Sequence, residues 1–178
     1  MNSKLDKLSE LGAGEFEHLN GSLIKHLNST YQLLEKWGAS QALCDSGLYH
    51  AAYGTAGFES QVVSLSQRND IARIIAKTAE DIVYLYCSCD RGFVFNNFDG
   101  KYPIKFRDRF TETEFELTHE QAQQLCELTV ANELELAIDS IEFLKEHGQG
   151  LLNLFIKMKP LLSKPANESV SGVLGSVA

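Results

Sequence analysis

Five histidines and a scatter of carboxylates are the residues of this chain best suited to chemistry, and helical geometry separates them. His26 falls on a stripe with Leu19, Leu23, Thr30, Leu33 and Trp37, at three- and four-residue steps or their sums, so its ring should face a core. His18 shares another face with Ser22, Lys25, Ser29 and Lys36 and is expected in water. His50 lies on a small-residue face with Leu43, Ser46 and Gly47, just ahead of Tyr53-Gly-Thr55. Asp90 follows Ala79, Val83 and Tyr86 at helical steps and closes another apolar stripe. A histidine among apolar neighbours must have its nitrogens satisfied, by a hydrogen bond or by a metal. Two imidazoles and one carboxylate from three buried helix faces form a set that can hold one divalent ion, Fe, Mn or Zn, with positions left for water or substrate. Spacing alone does not make the three converge, and core histidines bonded to a carbonyl or hydroxyl satisfy the same pattern.

Helices must position these groups. A short one opens the chain and breaks at Gly12-Ala-Gly14; an amphipathic one spans 15–37, with Gly38 as its C-cap. Ser40 caps the next, which runs to about Tyr53, and its small residues Gly47, Ala51 and Ala52 admit a close neighbour. After a helix over 69–76, Thr78-Ala-Glu-Asp81 resembles a capping box that opens a helix to about Asp90. Between 92 and 117 the period changes: Phe93-Val-Phe95 and Ile104-Lys-Phe106 flank Asp99-Gly100, which predicts a hairpin, and 110–117 also alternates. Thr118-His-Glu-Gln121 is a second capping box, opening a helix to about Lys145, and Gly148 and Gly150 separate a last helix ending near Pro160. The expected fold is therefore all-α, mainly helical, one domain over 1–163 with a small β-hairpin insertion around 93–117. Residues 164–178, rich in Ser, Val, Gly and Ala, read as a mobile tail.

Composition narrows the function classes. With 178 residues and 44% apolar content the chain can bury a core, and a net charge of -8 would repel phosphate backbones, so no nucleic-acid partner is expected. No run of eighteen apolar residues predicts a membrane span, and the amino terminus lacks a signal-like apolar stretch. Cys44, Cys87, Cys89 and Cys126 follow neither a zinc-finger nor a disulfide spacing, so reduced thiols and a cytoplasmic location are expected. Phe95 and Phe98 can pack on the helices or on a second subunit, which leaves a homo-oligomer open.

The stretch His26-Leu-Asn-Ser-Thr-Tyr-Gln-Leu-Leu-Glu-Lys-Trp-Gly38, followed by Leu43-Cys-Asp-Ser-Gly-Leu-Tyr-His50-Ala51, resembles the HD-domain superfamily of metal-dependent phosphohydrolases. Members of that superfamily carry a histidine on one helix, a His-Asp pair ending the next, and a distant aspartate on a later helix. The resemblance implies an HD-like helical bundle in which His26 matches the first ligand, His50 the histidine of the pair and Asp90 the last aspartate. Gly47-Leu-Tyr-His-Ala-Ala-Tyr-Gly-Thr55 also resembles a branch of HD-like proteins of unknown function. Ala51 stands where the family has the aspartate of its name, and alanine coordinates nothing, so a standard dinuclear site is not expected. Glu80 or Asp45 is then the carboxylate left to take its place, as ligand or general base. An acid in the first turn, as Glu80 is, also simply favours the helix dipole. The implied activity is metal-dependent hydrolysis of a phosphorylated or polar small molecule, or oxidative chemistry with iron; the alternative is a degenerate, metal-free HD-like domain that binds a ligand or protein partner.

Other polar residues are placed for ligand contact. Tyr53 and Thr55, beside His50, can bond a ligand oxygen, although Tyr-Gly-Thr is also a helix terminator. Asn132 falls on the stripe of Leu125, Leu128 and Leu136, where it either lines a pocket or satisfies a neighbouring backbone group.

Overall fold

A computed structural model describes residues 3–13, 17–18, 21–57 and 60–175. The chain is mainly helical with a small antiparallel hairpin, as its periodicity predicts. Where the sequence showed no boundary, its contacts gather into two compact units, Met1–Ser88 and Cys89–Ala178. Gly14, Glu15 and Leu19, on which part of the expected break, helix start and stripe rest, lie outside the described residues, as does the side chain of His18.

The first unit holds α1 (Ser3–Glu10), a two-residue pairing of β1 (Glu17–His18) with β2 (Gly21–Ser22), then α2 (Leu23–Lys36), α3 (Gln41–Tyr49), α4 (Arg68–Ile75) and α5 (Lys77–Ser88). Helix α2 starts at Leu23, later than the stripe suggested. Ser22 is extended (φ -87°, ψ 143°) and its hydroxyl accepts from the Lys25 N–H, which fixes the first turn there. Leu23, Leu27, Thr30, Leu34 and Trp37 are buried, and Gly38 takes the left-handed conformation (φ +74°) that ends the helix. Ser40 caps α3 as expected, accepting from the Leu43 N–H. The small-residue face of α3 lets α2 come close: a Cβ added at Gly47 would stand 2.5 Å from Leu34 Cδ1 and 3.7 Å from the Tyr31 Cα. Helix α5 begins at Lys77, so Thr78 lies inside its first turn and is not its cap; the chain passes from α4 to α5 through Ala76 at φ 70°. Its inward stripe of Ala79, Ile82, Val83 and Tyr86 is buried.

The second unit contains α6 (Arg91–Asn97), β3 (Lys105–Asp108), β4 (Thr113–Glu116), α7 (His119–Asp139), α8 (Ile141–Met158) and α9 (Lys164–Leu174). The expected strand at Phe93-Val-Phe95 is helical, because the Asp90 carboxylate accepts from the Phe93 N–H at 3.0 Å and caps α6. The hairpin is instead formed by β3 and β4, with Lys105 opposite Glu116 and Asp108 opposite Thr113. Asp108 closes its turn by accepting from the N–H groups of Phe110 and Thr111. Asp99-Gly100 does turn, with Gly100 at φ +88°, but it joins a helix to a strand.

The Thr118–Gln121 capping box forms as read, each side chain bonding the other residue's N–H. The helix it opens stops at Asp139, because Ser140 is extended and caps α8 through the Phe143 N–H. Gly148 and Gly150 lie within α8 and do not separate helices. Residues 164–174, expected as a mobile tail, form α9 with Ala166, Val170 and Leu174 buried. Ser163 anchors it, capping α9 through the Ala166 N–H while donating from both its N–H and Oγ to the buried Glu127 carboxylate. Phe98 is buried in its own chain. No described helix is long and apolar enough to cross a membrane.

Candidate functional site

The first unit brings together the two histidines whose helix faces pointed inward. His26 is in the first turn of α2 and His50 is the residue that ends α3; both are almost fully buried, at 5% and 3% exposure. Their ring centroids lie 5.1 Å apart with the planes at 83°, and Tyr86 of α5 meets the His50 ring edge-on at 5.5 Å. The packing of α2 on α3 permitted by Gly47 positions the pair, since Gly47 and His50 sit one turn apart on α3.

The backbone fixes the orientation of His50. Its Nδ1 is 2.7 Å from the Gly47 carbonyl, an acceptor, so the proton belongs on Nδ1 and a neutral ring keeps its Nε2 lone pair. On the main-chain side, Cys87 Sγ donates to the His50 carbonyl at 3.1 Å. This carbonyl-oriented imidazole is the arrangement found at metal-ligating histidines, where the bond fixes tautomer and ring direction.

The carboxylates are elsewhere engaged. Glu80, 1% exposed, takes Nε and Nη2 of Arg68 at 2.6 and 3.0 Å and the Tyr53 hydroxyl at 3.1 Å. Arg68 also lies 3.7 Å over the Tyr84 ring. Burial, with the charge and hydrogen bond of Glu80 added, pushes the Tyr53 phenol far above its ordinary value, so it stays a donor. Asp45 accepts from Lys4 Nζ at 2.5 Å and Gln41 Nε2 at 3.0 Å. Asp90 belongs to the second unit: α5 ends at Ser88, so the helical extrapolation that aimed Asp90 inward stops two residues short. Its backbone N–H pairs with Arg107, its side chain caps α6, and an Arg107 nitrogen stands 3.6 Å from its carboxylate. Among the described residues no three His, Cys, Asp or Glu side chains gather where one ion would reach them. Thr55 is buried in the first unit, and Asn132, in the second, donates to Glu133 at 3.0 Å.

Residues 7–91 are similar to a family described as a domain of unknown function (DUF6817). That match covers both histidines, Asp45, Ala51, Glu80 and Asp90. No curated protein and no solved structure matches the chain.

Sequence reasoning did not single out Arg68 or Cys87. Arg68 had no periodic or motif signal, and its role appears only when Glu80 is found buried against it. Cys87 follows no zinc-finger or disulfide spacing; what it touches is a carbonyl, which only the fold reveals.

Proposed function

We propose that the first unit is an HD-like metal-binding domain in which His26 and His50 hold one divalent ion, Fe, Mn or Zn, and present it to a phosphorylated or otherwise polar small molecule. The separation of the two rings carries this reading. Imidazoles bound to one ion at about 2.0–2.1 Å with a near-tetrahedral angle have centroids roughly 5 Å apart, and these two stand at 5.1 Å. The Gly47 carbonyl supplies the orienting bond such a ligand needs. His26 and His50 would supply the two protein ligands, leaving the other positions to water and substrate. Its chemistry is that of a Lewis acid that lowers the pKa of a coordinated water and polarises a phosphoryl oxygen.

The protein's own groups have different work. Tyr86 packs on His50, and Cys87 holds the His50 backbone. Glu80 and Asp45, tied to Arg68 and Lys4, act as structural charges in this reading and not as general bases. To test it, the protein is loaded with Mn(II), Fe(II) or Zn(II) and offered a panel of phosphomonoesters and nucleotides, with phosphate release as the readout. Metal-dependent release that disappears in His50→Ala supports hydrolysis.

A second reading is favoured by Ala51 and by the engagement of all three candidate carboxylates: a degenerate, metal-free HD-like domain that binds a small ligand or a protein partner. Under it the metals have no effect, no phosphate is released, and a ligand that binds raises the melting temperature of metal-free protein.

A further inference from the structure

The second unit holds a cleft of about 410 Å³ between α6, α7 and α8, within the range of about 300–1,000 Å³ typical of small-molecule sites. Phe95, Phe143, Leu151 and Leu154 give it apolar walls, and Arg91 and Glu133 give it a charged pair. His147 lies against Phe143, with ring centroids 4.6 Å apart, and both line the cleft. The pair is lopsided. Arg91 Nη1 and Asn132 Nδ2 both donate to Glu133 Oε1, each at 3.0 Å, while among the described residues Oε2 receives no hydrogen bond. Gly150 of α8 also lines the cleft, and a Cβ there would meet nothing within 4 Å. A glycine inside a helix lowers helix stability, and here no close-packed neighbour requires it. Its effect is to leave the cleft open.

We infer that this cleft binds a small amine with an apolar body, the protonated nitrogen donating to Glu133 Oε2. The sign of the charge follows from the pair. A cation in the cleft meets, at Glu133 Oε2, a carboxylate oxygen that is still able to accept. The faces of Phe95 and Phe143 carry the negative potential that attracts ammonium groups, and the chain's net charge of -8 favours cations at long range. The body of the ligand then covers Leu151 and Leu154.

The test uses the full-length protein and three probes with one body and different heads: 2-phenylethylamine, 2-phenylethanol and phenylacetate, titrated by calorimetry. The amine is expected to bind saturably and about tenfold or more tighter than the others, since a charge-assisted hydrogen bond is roughly twice as strong as a neutral one. Glu133→Gln should weaken the amine by about tenfold and bring it level with the alcohol. Gly150→Leu, which fills the cleft without touching the ion pair, should abolish binding with the helical circular dichroism unchanged, so the inference is testable even where Glu133→Gln fails to fold. Equal binding of all three heads, preference for phenylacetate, no binding of the amine, or amine binding unaffected by Gly150→Leu would each overturn it.

Discussion

Burial with partners decides what each polar residue of the first unit can do. His26 and His50 are both aimed inward and meet at their rings, whereas Glu80, just as deeply buried, is consumed by an arginine and a tyrosine. Removing one partner of such a buried pair leaves a charge without compensation. Arg68 is itself a third exposed, so Arg68→Ala is expected to destabilise the protein by about 3 kcal/mol, the lower end for breaking a buried pair. A urea titration measures it, and a change under about 1 kcal/mol would mean that the charge network is slack. The thiols give a pH dependence. Burial raises Cys44 to about 11, and Cys89 and Cys126 to about 12, from an ordinary value of 9.0. Above pH 9 the unfolded chain releases protons that the native state still holds, so stability is intact below about pH 9 and falls as pH rises toward 11. Urea midpoints measured from pH 8 to 11 should decline, and native protein should react slowly with iodoacetamide at pH 8. The facing of His26 was legible because a 3.6-residue period is a local property. The engagement of Glu80 was not, because Arg68 reaches it from another helix.

Between α2 and α3, one glycine sets the approach that brings the histidines together. Alanine is the better helix former, yet at Gly47 its Cβ meets the fully buried Leu34 side chain at 2.5 Å. Gly47→Ala is therefore expected to destabilise by about 1–3 kcal/mol, the usual cost of overpacking, and a rise in melting temperature would contradict the close approach. Local capping chemistry was readable wherever cap and helix start coincide in sequence, as at Ser40 and at Thr118–Gln121. It misled where two signals competed. Phe93-Val-Phe95 alternates like a strand, but the Asp90 cap three residues upstream commits it to helix, and the strand at 105–108 pairs forward to 113–116. The small residues of 164–174 look like a linker, and only Ser163 held on Glu127, with Ala166, Val170 and Leu174 buried, shows a packed helix. Long-range anchoring of that kind leaves no periodic trace.

For the whole molecule, the division at Ser88 and Cys89 nearly coincides with the end of the similarity to the DUF6817 family, at residue 91. The histidine pair and the amine cleft thus belong to different units. Mainly helical character was plain from composition and periodicity. The boundary was not, because the chain leaves α5 at Ser88 and enters the second unit at Cys89 with no Gly, Pro or Ser-rich break to mark it. If the first unit holds an ion only when folded, saturating metal at a hundred times its dissociation constant adds about 2.7 kcal/mol to stability, and the melting temperature should rise accordingly. In the proposed site His26 and His50 share one ion, and the deciding measurement is metal content after reconstitution. Protein incubated with Fe, Mn or Zn and freed of excess should retain close to one equivalent, lost in both His26→Ala and His50→Ala while each variant keeps its helical circular dichroism. No retained metal, or retention undiminished in folded His26→Ala and His50→Ala protein, would contradict it.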